Sequence, residues 1–313
     1  MLISKFPNIH WLKRQIHHQF QAPKGSKDVN LPFLGWPTVL LNTSATQAVR
    51  EDIEGPFSIF MNQKGSSTVG TQQRQVTIKN NAYVVTNNKE VYDLIINNSC
   101  PTEVFNIHFG TQFLKDASYC LLHNQTNLLD NPFPSTPSIL PQFGLKATWR
   151  SATFNQLTKQ LMLLHKRPDS SAEAKEMALL AVFEYVLLTE QKEIAHLQQL
   201  SSLKNSTKKE LVKRLHLAVD YIYAYYAQPI KLEELAQISC LSKYHFLRSF
   251  KQAFGIAPYQ FIKRIRMQQA IHLLENSSIS IQEIAFTIGI ENASSLSRML
   301  FQQTGKYPSS YRK

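Results

Sequence analysis

The last third of the chain carries one pattern twice, and this repeat constrains the fold more than any other feature. Residues 232–261 and 281–311 share apolar, small, basic, glycine and proline positions, at an offset of 49 residues early in the pattern and 50 later. The matched positions are Leu232, Leu235, Ala236, Phe246, Arg248, Phe250, Gly255, Pro258 and Phe261 in the first copy and Ile281, Ile284, Ala285, Leu296, Arg298, Leu300, Gly305, Pro308 and Tyr311 in the second. Two copies are too few for a solenoid, so the pattern indicates the tandem duplication of one compact unit.

Each copy reads as a short helix, a tight turn and a second helix. The patterns predict helices at 232–239, 243–254, 259–275, 281–287 and 293–303, and a turn after Pro308. In the first copy Phe246, Phe250 and Phe254 recur every four residues, which places them on one inward face. Leu296 and Leu300 take the inward positions of the second copy.

The outward faces of the two second helices are polar and carry an arginine at the same place. They comprise Lys243, Tyr244, His245, Arg248, Lys251 and Gln252 in the first copy, and Asn292, Ser294, Ser295, Arg298 and Gln302 in the second. Such side chains hydrogen-bond base edges and phosphates, as a recognition helix in a major groove must. Either helix alone could be an ordinary amphipathic helix with a solvated face. Repetition of the whole unit with its arginine in register favours double-stranded DNA as the partner.

The charge distribution agrees with a polyanionic partner. Lys and Arg number 34 against 22 Asp and Glu, a net charge of +12. Residues 208–313 hold 15 basic and 7 acidic side chains, so the excess is concentrated there. Within that region, residues 230–278 carry seven basic and three acidic groups, and residues 279–313 carry four and two. We therefore expect the first copy to anchor the protein on DNA and the second to contribute less.

The first two thirds of the chain read differently. Runs with a period of two, such as Phe57–Met61 and Phe105–Phe109, predict short strands of a barrel or sandwich. After Trp149 the period becomes helical, and residues 177–188 are apolar on all sides, as expected of a helix buried in the domain or against a partner subunit. The polar stretch 201–207 is predicted as a linker. The predicted fold class is therefore α+β, a β-barrel with a helical segment followed by an all-α domain.

The C-terminal residues resemble the AraC/XylS family of bacterial transcription regulators. The matching residues are Ser242, Phe246, Arg248, Phe250, Lys251, Gly255, Pro258, Arg266, Ala270, Leu273, Leu274, Ile281, Ile284, Ala285, Gly289, Arg298, Gly305, Pro308, Tyr311 and Arg312. The resemblance implies two helix-turn-helix units, 230–278 and 279–313, joined by a rigid helix and entering successive major grooves. The chain departs from the family pattern at three places: Ser295-Leu296 in place of an aromatic pair, Leu300-Phe301 in place of Phe-Lys, and Cys240 where the family often has glycine. Because a non-glycine residue rarely adopts a positive φ, the turn at Cys240 must be reshaped or strained.

By pattern rather than motif, the N-terminal part resembles the cupin-like effector domain of sugar-responsive members of that family. The resemblance implies an effector-sensing domain with an N-terminal arm at 1–150, helices at 151–204 that pair subunits into a homodimer, and the DNA-binding domain at 205–313. It also implies an activator that works with RNA polymerase. Three scattered cysteines, too few for a disulfide framework, indicate a reducing, cytoplasmic setting. If Phe105, Ile107 and Phe109 face one way, Asn106 and His108 face the other. Together with Lys64 and Tyr92 they form a candidate site for a small hydroxylated effector, although an outward polar face would give the same pattern.

Other classes of protein have little support. The sequence has no H-x-H, C-x-x-C, G-x-S-x-G or H-E-x-x-H motif, so we expect no metal, no cofactor and no enzymatic activity. No apolar run is long enough for a membrane span. Two alternatives stay open. One is a regulator controlled by a protein partner, and the other is a DNA-repair enzyme fused to the same DNA-binding module, for which Cys100 and Cys120 make no reactive, cysteine-rich site.

Overall fold

The computed structural model of the chain describes residues 2–4, 36–72, 74–123, 125–131, 140–198 and 205–312. The chain separates into two compact units, Met1–Glu190 and Gln191–Lys313, which we name the N-terminal and C-terminal domains. The division falls inside a helix, so the helices up to residue 190 are part of the same unit as the strands. The predicted N-terminal arm lies outside the described residues, apart from residues 2–4.

The N-terminal domain is built on one eight-stranded sheet. Its strands are β1 (Leu2–Ile3), β2 (Val39–Glu54), β3 (Ser58–Lys64), β4 (Ser66–Thr71), β5 (Arg74–Lys79), β6 (Ala82–Thr86), β7 (Val91–His108) and β8 (Thr148–Trp149). The order is β1-β2-β7-β3-β6-β8, and β4 pairs with both β5 and β7. Among the strands of the described residues, only the β1–β2 pair is parallel, and the other pairs are antiparallel.

The long strand β7 shows that the sheet is rolled up. Tyr92 and His108, at or next to its two ends, are 16 residues apart, which would separate them by about 50 Å in a straight strand. Both ends nevertheless contact the ring of Phe60 on β3: the ring centroid of Tyr92 lies 5.0 Å from it and that of His108 lies 5.6 Å from it. The sheet therefore curls around an interior that has Phe60 near its centre.

The opposite face of the sheet packs against helices. The helices of this domain are α1 (Thr111–Leu122), α2 (Gln125–Asp130), α3 (Ala152–Lys166) and α4 (Ala172–Gln198). Phe105, Ile107 and Phe109 join one core with Phe183 of α4, as the alternation along β7 predicts. The apolar stretch of α4 is explained within the domain, because Val182, Phe183, Val186 and Leu187 are all buried there.

A partly buried arginine and a buried lysine fasten the sheet to its helices. Arg150 donates to the carbonyls of Asn62 at 2.8 Å and Asn80 at 3.1 Å, and to Oδ1 of Asn155 at 2.8 Å. Its burial lowers the pKa of the guanidinium to about 10, so it stays charged at neutral pH. Lys146 Nζ lies 2.9 Å from Oε2 of Glu190, with both side chains about nine-tenths buried.

The C-terminal domain is helical. It contains α5 (Asn205–Tyr225), α6 (Leu232–Ile238), α7 (Lys243–Phe254), α8 (Pro258–Asn276), α9 (Ile281–Thr287), α10 (Ala293–Thr304) and a 3-10 turn (Pro308–Tyr311). Bounds from α6 onward agree with the predicted ones to within one residue. The predicted linker is wrong for residues 205–207, which begin α5 instead, and residues 201–204 lie outside the described part of the chain. None of the described helices has the length and apolarity needed to cross a bilayer.

Candidate nucleic-acid interface

The first helix-turn-helix consists of α6, its turn and α7. Phe246 and Phe250 have no solvent exposure, and their rings lie 5.4 Å apart in the core between the helices. The inward face of α7 is thus fixed by packing, and its other face must point outward. The six residues predicted for DNA contact on that face are all exposed, namely Lys243, Tyr244, His245, Arg248, Lys251 and Gln252.

The second helix-turn-helix, α9 and α10, repeats this arrangement with aliphatic packing. Leu296 and Leu300 are fully buried, while Ser294, Arg298 and Gln302 are exposed. Two of the predicted residues have structural positions at the start of α10. Oδ1 of Asn292 accepts from the backbone N–H of Ser295 at 2.8 Å, which caps the helix, and Ser295 itself is half-buried.

The turns of the two repeats share one backbone pattern. Cys240 N donates to Gln237 O at 2.9 Å, and its counterpart Gly289 N donates to Phe286 O at 3.1 Å. The φ angles are +49° at Cys240 and +75° at Gly289, so Cys240 holds the left-handed conformation that favours glycine. Of the two outcomes expected at Cys240, a reshaped turn or a strained one, the structure shows the strained one, because the turn keeps the hydrogen bond of its counterpart with a left-handed cysteine. Arg214 of α5 donates to the Cys240 carbonyl at 3.2 Å and so holds the turn in place.

The loop after α5 joins the two repeats into one domain. Arg266 of α8 donates from Nε to Tyr226 O at 2.7 Å and from Nη2 to Gln228 O at 2.9 Å. Between these residues, Ala227 lies directly against the turn of the second repeat: a Cβ added to Gly289 would stand 2.1 Å from Ala227 O. Arg266 is therefore a structural residue, and Gly289 is required by both its φ angle and this close approach.

A contact that the sequence analysis missed links the two helices of each repeat. Lys243 Nζ lies 2.5 Å from Oε1 of Glu233, in the first turn of α6. This hydrogen bond lowers the pKa of the Glu233 carboxyl and raises the pKa of the Lys243 ammonium, so both are charged at neutral pH. In the second repeat, Gln282 Oε1 accepts from the N–H of Ala293 at 3.0 Å. Alignment of the repeats would have revealed the pairing, because both contacts join equivalent positions.

The candidate effector residues divide into two groups. Tyr92 and Asn106 are buried in the rolled sheet, and with His108 they lie on the face that carries Phe60. Lys64, in contrast, is exposed and pairs with Glu103. A register shift between Asn62 and Lys64 breaks the alternation that would have pointed Lys64 inward, so the structure separates it from the other three.

The interior site is uncharged at neutral pH. Burial lowers the pKa of His108 to about 4, which keeps the ring neutral, and burial raises the pKa of the Tyr92 phenol above its ordinary value. Ser58 Oγ donates to Pro56 O at 2.8 Å and lies 2.9 Å from Nδ1 of His108. Because a hydroxyl has one proton, Nδ1 donates to Ser58 and the lone pair of the ring is on Nε2.

Two buried polar atoms of this face have no partner in the part of the chain that the structure describes: Asn106 Nδ2 and Thr86 Oγ1. Oδ1 of Asn106 does accept from Met61 N, at 3.4 Å. A buried donor without a partner costs about 1–3 kcal/mol, which marks the interior as a place where a ligand could stabilise the fold. Phe60 and Thr86 were absent from the predicted set. Thr86 lies opposite Ser58 and Phe60 lies opposite Val84, which places both on this face.

The three cysteines are exposed and free. Among the described residues no group of three or more His, Cys, Asp or Glu is arranged to hold a metal ion.

Comparison with known proteins locates the similarity in the C-terminal domain. The family described as "Helix-turn-helix domain" matches residues 235–313. The bifunctional transcriptional activator/DNA repair enzyme AdaA of Bacillus subtilis (strain 168) is 32% identical over 96 residues, 31% of this chain and 46% of its own length. The transcriptional activator RhaS of Escherichia coli O139:H28 is 28% identical over 115 residues, 36% of this chain and 41% of its own length. The chain thus spans less than half the length of these relatives.

Among solved structures, unsaturated fatty acid-bound ToxT from Vibrio cholerae strain SCE256 aligns with 91% of this chain and 96% of its own, at 14% identity and a TM-score of 0.34.

Proposed function

We propose that this chain, which carries the paired helix-turn-helix domain of the AraC/XylS family, is a sequence-specific DNA-binding transcription regulator. One observation carries the proposal: the two repeats bury equivalent faces and expose an arginine at equivalent positions, Arg248 and Arg298. An arginine at the middle of an exposed recognition helix can contact the O6 and N7 atoms of guanine in a bidentate manner, which discriminates between bases by about 1–3 kcal/mol.

The two repeats divide the work unequally in this proposal. In α7, Lys243 and Lys251 flank Arg248, whereas the residues around Arg298 in α10 are neutral. Contacts between cations and phosphates supply most of the salt-dependent affinity. The first repeat therefore anchors the protein, and the second repeat adds mainly sequence preference.

Selection from a pool of random DNA duplexes with the full-length protein tests this function. We expect a motif of two half-sites whose centres lie about one helical turn, roughly 10 base pairs, apart. On the selected duplex, Arg248→Ala should weaken binding more than Arg298→Ala, and Lys251→Ala should reduce the salt dependence. A pool that yields no motif would refute sequence-specific binding, and a larger loss in Arg298→Ala would refute the unequal roles.

We propose that the protein activates transcription by RNA polymerase. The proposed location is the cytoplasm. Template transcription with purified polymerase, with and without the protein, distinguishes activation from repression on a promoter that contains the selected motif. A fall in transcript would contradict the proposed activation.

We further propose that the N-terminal domain binds a small, uncharged, hydroxylated effector. Tyr92, Asn106 and His108 supply hydrogen-bonding groups around Phe60. The neutral imidazole, together with Asn106 Nδ2, which has no partner among the described residues, supports an uncharged ligand. A ligand that binds only the folded state raises the melting temperature of the domain. A screen of neutral sugars and polyols against the full chain, with Asn106→Leu as control, should give a shift that the variant abolishes. A silent screen with a copurifying protein would instead support control by a protein partner.

Two further proposals concern assembly and chemistry. Helices α3 and α4 expose Leu163, Met177 and Leu188, which supports their use in pairing two copies of the chain; sedimentation of wild type against Met177→Glu tests this. We also propose that the chain is not an enzyme, because its sequence carries no G-x-S-x-G or H-E-x-x-H motif and its three cysteines lie apart in the sequence. Selective alkylation of one cysteine by methylated DNA would favour the repair alternative instead.

A further inference from the structure

Each helix-turn-helix has a tether between the first turn of its first helix and the first residue of its recognition helix. In the first repeat Glu233 reaches Lys243, and in the second Gln282 reaches Ala293. The residue pairs are equivalent, because 233 matches 282 at an offset of 49 and 243 matches 293 at an offset of 50. The tether is therefore a shared element of the unit, and its chemistry differs between the copies.

The second repeat uses a neutral tether. The amide oxygen of Gln282 accepts a backbone N–H, which satisfies one of the free donors at the start of α10. The tether itself carries no charge, and it engages a backbone N–H rather than a side chain that contacts DNA.

The first repeat uses an ionic tether that occupies a DNA-contacting group. Lys243 is the first residue of α7, and its ammonium is held by the Glu233 carboxylate. The two side chains remain 45% and 57% exposed, respectively, so a phosphate can reach the pair. Exposed ion pairs are weak, and a duplex phosphate can therefore take Lys243 from Glu233.

Resting on the DNA-binding function proposed above, we propose that Glu233 is a positioning residue that limits the affinity of the first repeat for DNA. Glu233 keeps Lys243 from the phosphates in the free protein, and it leaves a carboxylate beside them once Lys243 has moved. Both effects oppose binding. The stronger anchor is thereby held below its full affinity, so that the second repeat still contributes to the choice of site.

The variant Glu233→Gln tests the proposal, because it gives the first repeat the side chain that the second one has. With the duplex selected from the random pool, we expect binding about 3–10-fold tighter at low salt, and a log–log salt dependence steeper by up to about one phosphate contact. Glu210→Gln is the matched control, since it removes the same charge from another exposed ion pair of this domain, the one with Arg214. It should leave affinity nearly unchanged.

Two more variants separate positioning from general electrostatics. In a Lys243→Ala background, Glu233→Gln should keep only the part of its gain that comes from removing the carboxylate. The part that depends on Lys243 should disappear, and a double-mutant cycle measures it as coupling. Gln282→Glu keeps the acceptor for Ala293 but adds a carboxylate with no lysine beside it, so it should weaken binding about 2–5-fold.

Unchanged or weaker binding by a folded Glu233→Gln variant overturns the proposal, as does an equal gain from Glu210→Gln. Melting temperatures of all variants show whether the fold is intact, and a purely structural role of Glu233 would lower both stability and affinity. Failure of the DNA-binding function is seen separately, as the absence of a selected motif for the wild-type protein.

Discussion

The contact between Gly289 and Ala227 gives a stability prediction that can be worked out from the geometry. Gly289 and Gly305 both have left-handed backbones, with φ of +75° and +72°. They differ in their surroundings: a Cβ at Gly289 would stand 2.1 Å from Ala227 O and 2.7 Å from its carbonyl carbon, whereas a Cβ at Gly305 would meet nothing within 4 Å. Alanine at these two sites therefore separates the cost of the conformation from the cost of the clash.

The expected magnitudes differ by about 2 kcal/mol. A left-handed alanine costs about 1–2 kcal/mol, partly offset by the lower entropy of its unfolded chain, so Gly305→Ala should destabilise by about 1 kcal/mol. Gly289→Ala adds about 1–3 kcal/mol of overpacking. Relief of the clash requires the loop to move by about 1 Å, which also strains the hydrogen bonds of Arg266 to Tyr226 O and Gln228 O. We expect a total of about 3 kcal/mol or more.

Hydrogen exchange on the full chain measures both effects in one domain. The most protected amides of α9 and α10 should exchange about 5-fold faster in Gly305→Ala and at least about 100-fold faster in Gly289→Ala. Amides of β3 and β7 should not change, which provides the internal control. Equal acceleration in the two variants would show that the approach of Ala227 carries no energetic weight, and the reasoning from the close contact would then be refuted.

Three further predictions follow from single contacts. Cys240→Gly should stabilise the C-terminal domain by about 0.5–1 kcal/mol, because glycine adopts the left-handed conformation without strain. Urea unfolding followed by circular dichroism measures this change. Cys240→Ala keeps the Cβ and should give no gain, so equal stabilities of the two variants would contradict the prediction. Because the folded pKa of His108 is about 4, below the ordinary 6.5, the unfolded chain takes up a proton first, so stability is complete above pH 6.5 and falls between 6.5 and 4. Because His108 is partly exposed, the unfolding free energy should fall by only about 1–3 kcal/mol over this pH range. Urea unfolding followed by the fluorescence of Trp149 measures this loss, and the loss should be smaller in His108→Gln. Lys146→Met should lower the unfolding free energy by about 3 kcal/mol in the same assay, since it leaves Glu190 buried and unpaired. Adding Glu190→Leu should restore most of that free energy. A double variant as unstable as Lys146→Met would contradict the prediction.

The sequence predicted the C-terminal domain well because its signals are local. The bounds of a helix depend on the spacing of apolar residues, on capping residues and on glycines that end the helix, all within a few positions. The repeat provided an equivalent position in the other copy against which each boundary was checked. The unusual conformation of Cys240 was visible for the same reason, since Gly289 occupies the equivalent turn position.

The sequence predicted less of the N-terminal site, where side-chain direction depends on distant pairing. Alternation along β7 correctly separated Phe105 and Ile107 from Asn106. It could not show the register shift after Asn62, which removes Lys64 from the group, or the curvature that brings Tyr92 to Phe60. Asn292 was predicted from its place on the outward face, but capping of α10 is a backbone demand that competes for the same side chain.

The curl of β7 around Phe60 has a consequence for the rate of folding. Phe60 contacts Tyr92, which is 32 residues further along the chain, and His108, which is 48 residues further. The entropy cost of closing these loops comes before the contacts can stabilise the fold, so such contacts form slowly. The helical repeats instead form from neighbouring segments. On refolding of the full chain from denaturant, the C-terminal helices should therefore regain protection from hydrogen exchange before the strands of the rolled sheet do.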